Sequence, residues 1–278
     1  MSLLRYPLLV SDIDGTLLNN DKEISRHNME SISRFCRMGG LFTLATGRSY
    51  MEAKRYIEQL EPRLPVILCN GAVLYEPASE SVIPVHTMPR ELMLSLLHEL
   101  ERKLPSSVDL FAYGLNTVYA TRMGPLAEAG VDQIDFHVEM LGSFEQIPDI
   151  LCIKVIAVAS GEDMKLLLDW SKTADFPVDF IPSSDNYFEI LPAGASKGNA
   201  LSALLKKIGL TPDKAAAIGD HCNDLSMLSL AGLGAAVANA HPAVLQQAKV
   251  IVPSNNEDGV AHLIHNHLMF PVPQAKTP

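Results

Sequence analysis

The feature that most constrains the fold is an alternation of short apolar runs with helical patterns at the start of the chain. Runs that begin at Leu8, Leu41 and Pro65 contain few polar residues, which is typical of strands buried on both faces of a sheet. Between the first two runs, Ser25 begins a helical pattern that Gly39 ends. This β-α-β-α-β order predicts a parallel sheet with helices on both of its faces.

The alternation stops near Val85 and resumes near Ser196. The intervening segment is richer in short strands than the start of the chain. A chain of 278 residues has room for about two domains of ~150 residues each. We therefore predict an α/β fold, in which a Rossmann-like parallel-sheet core formed by residues 1–84 and 191–278 carries an inserted α+β domain of residues 85–190.

Composition narrows the functional classes. Hydrophobic residues make up 47% of the chain, which is enough to bury a sizeable core, and the formal net charge of −10 disfavours a nucleic-acid-binding protein. No apolar run approaches the ~18 residues of a membrane span, so we expect no membrane contact. Four cysteines without close pairing or metal-binding spacing favour reduced thiols in the cytoplasm, namely Cys36, Cys69, Cys152 and Cys222.

Polar side chains follow several predicted strands of the parallel sheet, at the point where each strand ends. In open parallel sheets, ligands bind beyond the carboxyl ends of the strands. These residues are therefore expected to meet at one edge of the sheet and to form a site. They are Asp12 and Asp14, then Thr46 and Arg48, then Asn70, and finally Asp220, Asn223 and Asp224.

The carboxylates at this edge require a cation. Two like charges ~4 Å apart repel by about 4 kcal/mol at an effective dielectric constant of ~20. Mg²⁺ prefers one or two carboxylates, waters and a substrate phosphate, which matches the residue types present. Soft ligands that favour zinc are missing from the pattern. Lys197 and Arg48 are expected to supply positive charge for phosphate oxygens.

These residues carry a family resemblance that spans nearly the whole chain. The chain resembles phosphatases of the haloacid dehalogenase superfamily, in the Cof-like branch, whose members carry a large α/β cap. The matching motifs are Asp12-Ile13-Asp14-Gly15-Thr16-Leu17, Thr46-Gly47-Arg48, Lys197-Gly198 and Gly219-Asp220-His221-Cys222-Asn223-Asp224. The resemblance implies a Mg²⁺-dependent hydrolase of small phosphate monoesters, with residues 85–190 as its cap.

The resemblance also implies catalytic and metal-binding roles. Asp12 would be the nucleophile that attacks phosphorus and forms an aspartyl-phosphate. Asp14 would donate a proton to the leaving alcohol and then activate water. The implied metal ligands are the carboxylates of Asp12 and Asp220 and the backbone carbonyl of Asp14, while Asp224 supports the water shell of the metal.

A second set of residues is expected at the substrate. Thr46 and Lys197 would hold the transferring phosphoryl group, and Asn223 would touch phosphate or a metal-bound water. Two roles stay open for Arg48, a contact with the substrate and a structural salt bridge, and it stays open whether Asn70 lines the site. The full expected set is Thr46, Gly47, Arg48, Asn70, Lys197 and Asn223.

Two other functions stay open at this point. The first is a phosphohexomutase, because the superfamily includes such enzymes, which use the same aspartate. The second is a regulator that binds a phosphometabolite without turning it over. The intact pair Asp12 and Asp14 argues against the regulator. His221 and Cys222 lie inside a motif that leaves their positions free, so we interpret them as loop filling.

The expected partner is a small phosphorylated metabolite, because a large cap restricts access by proteins. Sugar phosphates, pyridoxal phosphate and nucleotide-like phosphates all remain open, and the chain is expected to be a monomer or a homodimer. Candidates for lining the cap side of the site are Tyr113, Asn116, Tyr119 and the stretch 184–187.

Overall fold

The computed structural model describes residues 4–115, 117–131 and 137–269. In the first part of the chain, helices alternate with strands as predicted, and Ser25 caps the first helix by accepting a hydrogen bond from the Asn28 amide. A hairpin that the sequence pattern did not indicate then follows. The elements are β1 (Leu8–Ser11), α1 (Arg26–Arg37), β2 (Leu41–Leu44), α2 (Tyr50–Leu60), β3 (Val66–Leu68), β4 (Val73–Glu76) and β5 (Ser81–Pro84).

The middle of the chain is rich in strands, as expected for the inserted segment. Its short helix α4 and short strand β8 were not predicted, since neither is long enough to show a periodic pattern. The elements are α3 (Arg90–Lys103), β6 (Asp109–Tyr113), β7 (Val118–Ala120), α4 (Pro125–Val131), β8 (Val138–Met140), β9 (Lys154–Val158), α5 (Gly161–Ser171), β10 (Val178–Pro182) and β11 (Tyr187–Pro192).

The last part of the chain returns to the alternation of the first. Each strand here is followed by a helix, which is the arrangement that parallel pairing requires. The elements are α6 (Lys197–Ile208), β12 (Ala215–Gly219), α7 (Leu225–Leu230), β13 (Leu233–Val237), α8 (Pro242–Gln247), β14 (Val250–Val252) and α9 (Gly259–Leu263).

The first and last parts of the chain build one parallel sheet, which we call the core sheet. Its strand order is β14-β13-β12-β1-β2, and every pairing in it is parallel. The third strand differs from the expectation: β3 touches this sheet through a single parallel bridge between Ala45 and Ile67. It pairs antiparallel with β4 instead, in the three-stranded sheet β3-β4-β5.

The middle segment builds a separate six-stranded sheet, which we call the cap sheet. Its strand order is β10-β11-β9-β6-β7-β8, and all pairings except β7 with β8 are antiparallel. The α/β fold with a parallel core and an additional sheet domain is therefore confirmed. The exact boundaries at 84/85 and 190/191 stay predictions, and strand β11 continues to Pro192.

One face of the cap sheet has its own hydrophobic core. Residues of α3 and α5 pack there with alternate residues of the cap strands, such as Leu110, Val155 and Ile190. The residues between them in sequence, such as Phe111 and Ile156, cluster with the core-sheet residues instead. Because side chains alternate along a strand, the cap sheet has one face for its helices and one for the core. In the described part of the chain, no helix combines the length and apolar character that crossing a bilayer requires.

Candidate active site

Asp12 follows β1 directly, at the carboxyl end of the core sheet. Its side chain is buried, and Oδ1 accepts a hydrogen bond from Nζ of Lys197 at 2.6 Å. The same Nζ donates to Oδ1 of Asp224, also at 2.6 Å. Lys197 begins α6 and is fully buried, and Asp224 is the residue before α7. Three elements that are distant in sequence thus bring one ammonium group between two carboxylates.

Asp220 completes an acidic cluster at this edge. It follows β12, and its carboxylate, with those of Asp12 and Asp224, places oxygen atoms within 4.8 Å of one another. Oγ1 of Thr16 holds Asp220 by donating to its Oδ1 at 3.0 Å. Gly15 is required here: its φ is +73°, and a Cβ atom on it would lie 2.4 Å from Oδ2 of Asp220. The turn after β1 can therefore present Asp12 and Asp14 only with glycine at this position.

The cluster carries more negative charge than its own lysine balances. With all four groups ionised, three carboxylates and one ammonium leave a formal charge of −2. Burial raises the pKa of Asp12, although Lys197 opposes the shift. Burial and the neighbouring Asp224 raise the pKa of Asp220 to about 6. An all-oxygen donor set with two excess negative charges is the environment that a hard divalent cation such as Mg²⁺ fits.

Asp14 lies beside this cluster and is held by an arginine fork. Nε of Arg48 donates to Oδ2 of Asp14 at 2.6 Å, and Nη2 donates to Oδ1 at 2.7 Å. Burial raises the pKa of the Asp14 carboxyl, but the bonds and charge of Arg48, together with the nearby Lys22, outweigh burial and bring this pKa below its usual value. Of the two roles left open for Arg48, the structure forms the salt bridge.

The remaining predicted substrate residues form two short loops that are bonded to each other. The hydroxyl of Thr46 accepts a hydrogen bond from the backbone N–H of Arg48 at 3.1 Å. The Asn70 backbone N–H donates to the Thr46 carbonyl at 2.9 Å. Asn70 is buried, and its Oδ1 accepts a hydrogen bond from Nδ2 of Asn223 at 2.9 Å. The structure thus brings all the predicted site residues together at one sheet edge.

A cavity of about 530 Å³ lies between this edge and the cap sheet. Asn70, Lys197 and Asp224 are buried and are not part of its wall, as far as the described residues define it. The core contributes polar residues, which include Asp12, Asp14, Thr46, Gly47, Arg48, Asp220 and Asn223. The cap sheet contributes a mainly apolar wall, which includes Phe111, Tyr113, Lys154, Ile156, Val158, Tyr187 and Glu189.

The residues proposed for the cap side have different outcomes. Tyr113, Ser184 and Tyr187 line the cavity. Tyr119 packs into the hydrophobic core on the other face of the cap sheet, because its position in β7 points it there. Asn116 lies outside the described residues.

Sequence reasoning missed several residues of the cavity wall, and they include charged residues of both the core and the cap. His221, interpreted as loop filling, lies in the cavity wall beside Asp220. Lys154 and Glu189 project from cap strands that are otherwise almost entirely apolar, KVIAV and YFEILP. The sequence shows one charged residue in each of these otherwise apolar strands. It does not show which residue that charge pairs with.

The chain was compared with known proteins. A haloacid dehalogenase-like hydrolase family model matches residues 9–264. YxeH of Bacillus subtilis is 32% identical over 274 residues, covering 94% of this chain and 97% of that protein. The 5-amino-6-(5-phospho-D-ribitylamino)uracil phosphatase YitU of the same organism is 28% identical over 279 residues, covering 94% of this chain and 97% of that protein.

Two further matches agree with these. The pyridoxal phosphate phosphatase YbhA of Escherichia coli is 26% identical over 269 residues, covering 94% of this chain and 98% of that protein. The crystal structure of a haloacid dehalogenase-like hydrolase from Bacteroides thetaiotaomicron superposes with a TM-score of 0.82 at 27% identity, covering 93% of this chain and 98% of that one. The resemblance and the prediction of an enzyme of the phosphatase type are confirmed. This chain belongs to the haloacid dehalogenase-like hydrolase family.

Proposed function

We propose that this phosphatase hydrolyses small phosphate monoesters with Mg²⁺ through an aspartyl-phosphate on Asp12. The observation that carries the proposal is the setting of the Asp12 carboxylate. It is buried, held at 2.6 Å by Lys197, and placed beside Asp220 at the wall of the cavity between core and cap. A carboxylate held in this way is oriented for attack and has an adjacent cation for the phosphoryl group.

The metal is proposed to be held by Asp12, Asp220 and the backbone carbonyl of Asp14. When bound, Mg²⁺ supplies positive charge that stabilises the transferring phosphoryl group. The excess charge of −2 in the cluster supports this assignment. The two oxygens of Asp224 already accept bonds from Lys197 and from the backbone N–H groups of Asp220 and His221. Asp224 therefore supports the site from behind rather than facing the cavity.

The proposed reaction has two displacement steps. In the first, a carboxylate oxygen of Asp12 forms a bond to phosphorus while the bond from phosphorus to the leaving oxygen breaks, and Asp14 gives that oxygen a proton. In the second, water attacks phosphorus, the bond from Asp12 to phosphorus breaks, and Asp14 takes the proton of the water. Inorganic phosphate is released, Asp12 returns as a carboxylate, and Asp14 again carries the proton that it gave up in the first step.

Arg48 is proposed to control the protonation of Asp14. The guanidinium fork holds Asp14 ionised, as the low pKa of this carboxyl indicates. A phosphate group binds the same fork geometry as a carboxylate. A substrate phosphate that draws Arg48 away would therefore raise the pKa of Asp14 and let it take up from solvent the proton that the first step needs. Asp14 returns this proton to solvent when Arg48 forms the fork again after phosphate release. In this proposal Arg48 forms the salt bridge with Asp14 before the substrate binds and contacts the substrate phosphate afterwards.

The cavity wall favours a leaving group with an apolar face. Phe111, Ile156 and Val158 offer no side-chain hydrogen-bonding groups, and each hexose hydroxyl buried against them would need a partner elsewhere. The relatives YitU and YbhA carry names that specify ring-bearing phosphates. We propose pyridoxal phosphate and phosphorylated pyrimidine derivatives as the first substrates to test, with hexose phosphates as comparators.

The test is a screen of about 100 phosphorylated metabolites with purified protein, in which inorganic phosphate release and the fate of the substrate are both measured. Release of phosphate to water supports the proposal. Conversion of a hexose phosphate to its isomer without phosphate release would identify a mutase. Binding without either reaction would identify a regulator. We further propose that the protein acts in the cytoplasm as a monomer or a homodimer, which sedimentation and fractionation test.

A further inference from the structure

The cap sheet contains a buried ion pair that the proposed chemistry does not use. Lys154 of β9 and Glu189 of β11 are 2% and 7% exposed, and Nζ of Lys154 lies 3.7 Å from Oε1 of Glu189. Burying two charges is costly unless each also makes hydrogen bonds. The partners of those bonds therefore show what the pair does.

Each of the two charges also forms a hydrogen bond with the core. Nζ of Lys154 donates to the backbone carbonyl of Gly47 at 2.9 Å. Oε2 of Glu189 accepts a hydrogen bond from Nδ2 of Asn70 at 2.9 Å. The fit is close, because a Cβ atom on Gly47 would lie 3.2 Å from Nδ2 of Asn70 and 3.5 Å from Oε1 of Glu189. The pair thus spans the junction between the cap sheet and the core.

The two core partners lead directly to the site. Gly47 lies between Thr46 and Arg48, and Arg48 holds Asp14 through its fork. Asn70 accepts a hydrogen bond from Asn223 at 2.9 Å, and Asn223 lines the cavity. Two short chains of hydrogen bonds therefore run from one ion pair in the cap to two groups of predicted site residues.

We propose that Lys154 and Glu189 are positioning residues that align the Thr46–Arg48 loop and Asn223 when the cap lies over the core. This inference rests on the proposed function of the site. A purely structural ion pair would satisfy its hydrogen bonds inside the cap sheet, whereas this pair satisfies them on two site loops. Cap docking and site alignment are thereby coupled, so the core performs its chemistry fully only under the docked cap.

The remaining surroundings of Lys154 agree with a positioning role. Nζ lies 4.8 Å from the centre of the Tyr113 ring, which is a cation–π distance. Burial lowers the pKa of Lys154, but Glu189 and Glu52 outweigh burial, so the side chain stays charged. An ammonium group that stays charged and is held by several contacts keeps the Gly47 carbonyl in one position. Because Lys154 also lines the cavity, the experiment has to separate positioning from contact with the leaving group.

The kinetic test compares cap variants on two substrates, the best metabolite from the screen and the small ester 4-nitrophenyl phosphate. We expect Lys154→Met and Glu189→Leu to lower kcat at least 10-fold on both substrates, with the KM for 4-nitrophenyl phosphate changed less than about 3-fold. Glu189→Gln keeps an oxygen that accepts from Asn70, so it should retain at least 5-fold more kcat than Glu189→Leu. An unchanged kcat on 4-nitrophenyl phosphate, with a loss confined to the metabolite, would overturn the inference and make the pair a substrate contact.

Val155→Ala is the matched control, since Val155 follows Lys154 in β9 but packs in the hydrophobic core on the other face of the cap sheet. We expect it to leave kcat on 4-nitrophenyl phosphate unchanged. If Lys154→Met fails to fold because Glu189 is left buried and unpaired, the double variant Lys154→Met/Glu189→Leu removes both charges. The same loss of kcat is expected for it, and wild-type kcat in the double variant would contradict positioning.

A second readout does not depend on turnover. The amides of Cys69 and Asn70 donate to the carbonyls of Arg48 and Thr46, both at 2.9 Å, and so report on the alignment of the two loops. Hydrogen exchange at these amides should become at least 10-fold faster in Lys154→Met than in the wild type. The exchange rates of the β12 amides should stay unchanged. Equal exchange would refute the inference. A wild-type protein that hydrolyses no phosphate ester would instead refute the proposed function, and the exchange result would still decide the role of the pair.

Discussion

Two buried lysines, one in the core and one in the cap, show how differently the two regions use charge. Lys197 lies between Asp12 and Asp224, both at 2.6 Å, in a cluster with an excess charge of −2. Lys154 forms an ion pair with Glu189 at 3.7 Å, and this pair by itself is neutral. We propose that the unbalanced cluster binds a cation and a phosphate, whereas the ion pair, through its bonds to neighbouring loops, holds those loops in position. The comparison teaches that burial of a charge does not by itself indicate catalysis.

The largest effect is expected from removing the proposed nucleophile of the core, which tests whether the charged cluster around Lys197 is catalytic. Asp12→Asn should lower kcat by at least 1,000-fold, because an amide is a poor nucleophile and a weaker metal ligand. Steady-state phosphate release measures this, and circular dichroism should show an intact fold. More than about a tenth of wild-type activity in the variant would rule out Asp12 as the nucleophile.

Removing the cation tests the unbalanced charge of the core cluster. Exhaustive chelation should abolish turnover, and added Mg²⁺ should restore it, because the site holds two negative charges in excess. Ca²⁺ should inhibit, since its larger and looser coordination shell would displace Asp12. Full activity in the chelated protein, confirmed by elemental analysis, would show that the cluster works without a metal.

Cap substitutions sharpen the division between chemistry and recognition. Tyr187→Ala should lower kcat/KM for the metabolite by about 10-fold, equivalent to about 1.4 kcal/mol, because the ring lines the cavity. It should change kcat/KM for 4-nitrophenyl phosphate little, whereas Lys154→Met should lower kcat on that substrate as well. Tyr119→Phe is the matched control, because Tyr119 packs on the opposite face of the cap sheet. Equal losses for both substrates with Tyr187→Ala would mean that the whole cap wall supports the chemistry.

The smallest effect concerns the stability of the metal-free protein. Burial, with a contribution from Asp224, raises the pKa of Asp220 to about 6, so its ionised form destabilises the fold above that pH. Asp220→Asn should raise the Tm by about 2–4 °C at pH 8, or roughly 1 kcal/mol in a chain of this size. The gain should shrink as the pH falls through 6, because wild-type Asp220 then becomes neutral as well.

Differential scanning calorimetry at pH 8 and pH 5, with and without Mg²⁺, measures this effect. The variant should also lose the stabilisation that Mg²⁺ confers on the wild type. A lower Tm of the metal-free variant at pH 8 would show that Asp220 is held mainly by favourable bonds, such as that from Thr16.

Much of the core was predictable because its signals are local. The alternation of apolar runs with helical patterns predicted a parallel sheet, and residues at strand ends predicted where Asp12, Asp14 and Asp220 would meet. The elements that were missed are short or paired in an unexpected way. The two hairpin strands β4 and β5, helix α4 and strand β8 span three to seven residues each, too few to show a period.

The sequence by itself determined the fold class, the family and the edge of the sheet at which the acidic residues gather, because parallel strands bring their carboxyl ends to one edge. Only the tertiary structure decided which charges are paired. Lys154 meets Gly47 across 107 residues of sequence, and Asn70 meets Glu189 across 119. Such contacts depend on how the cap sheet docks on the core. Two sheets with separate local patterns share no periodicity from which that docking is predicted.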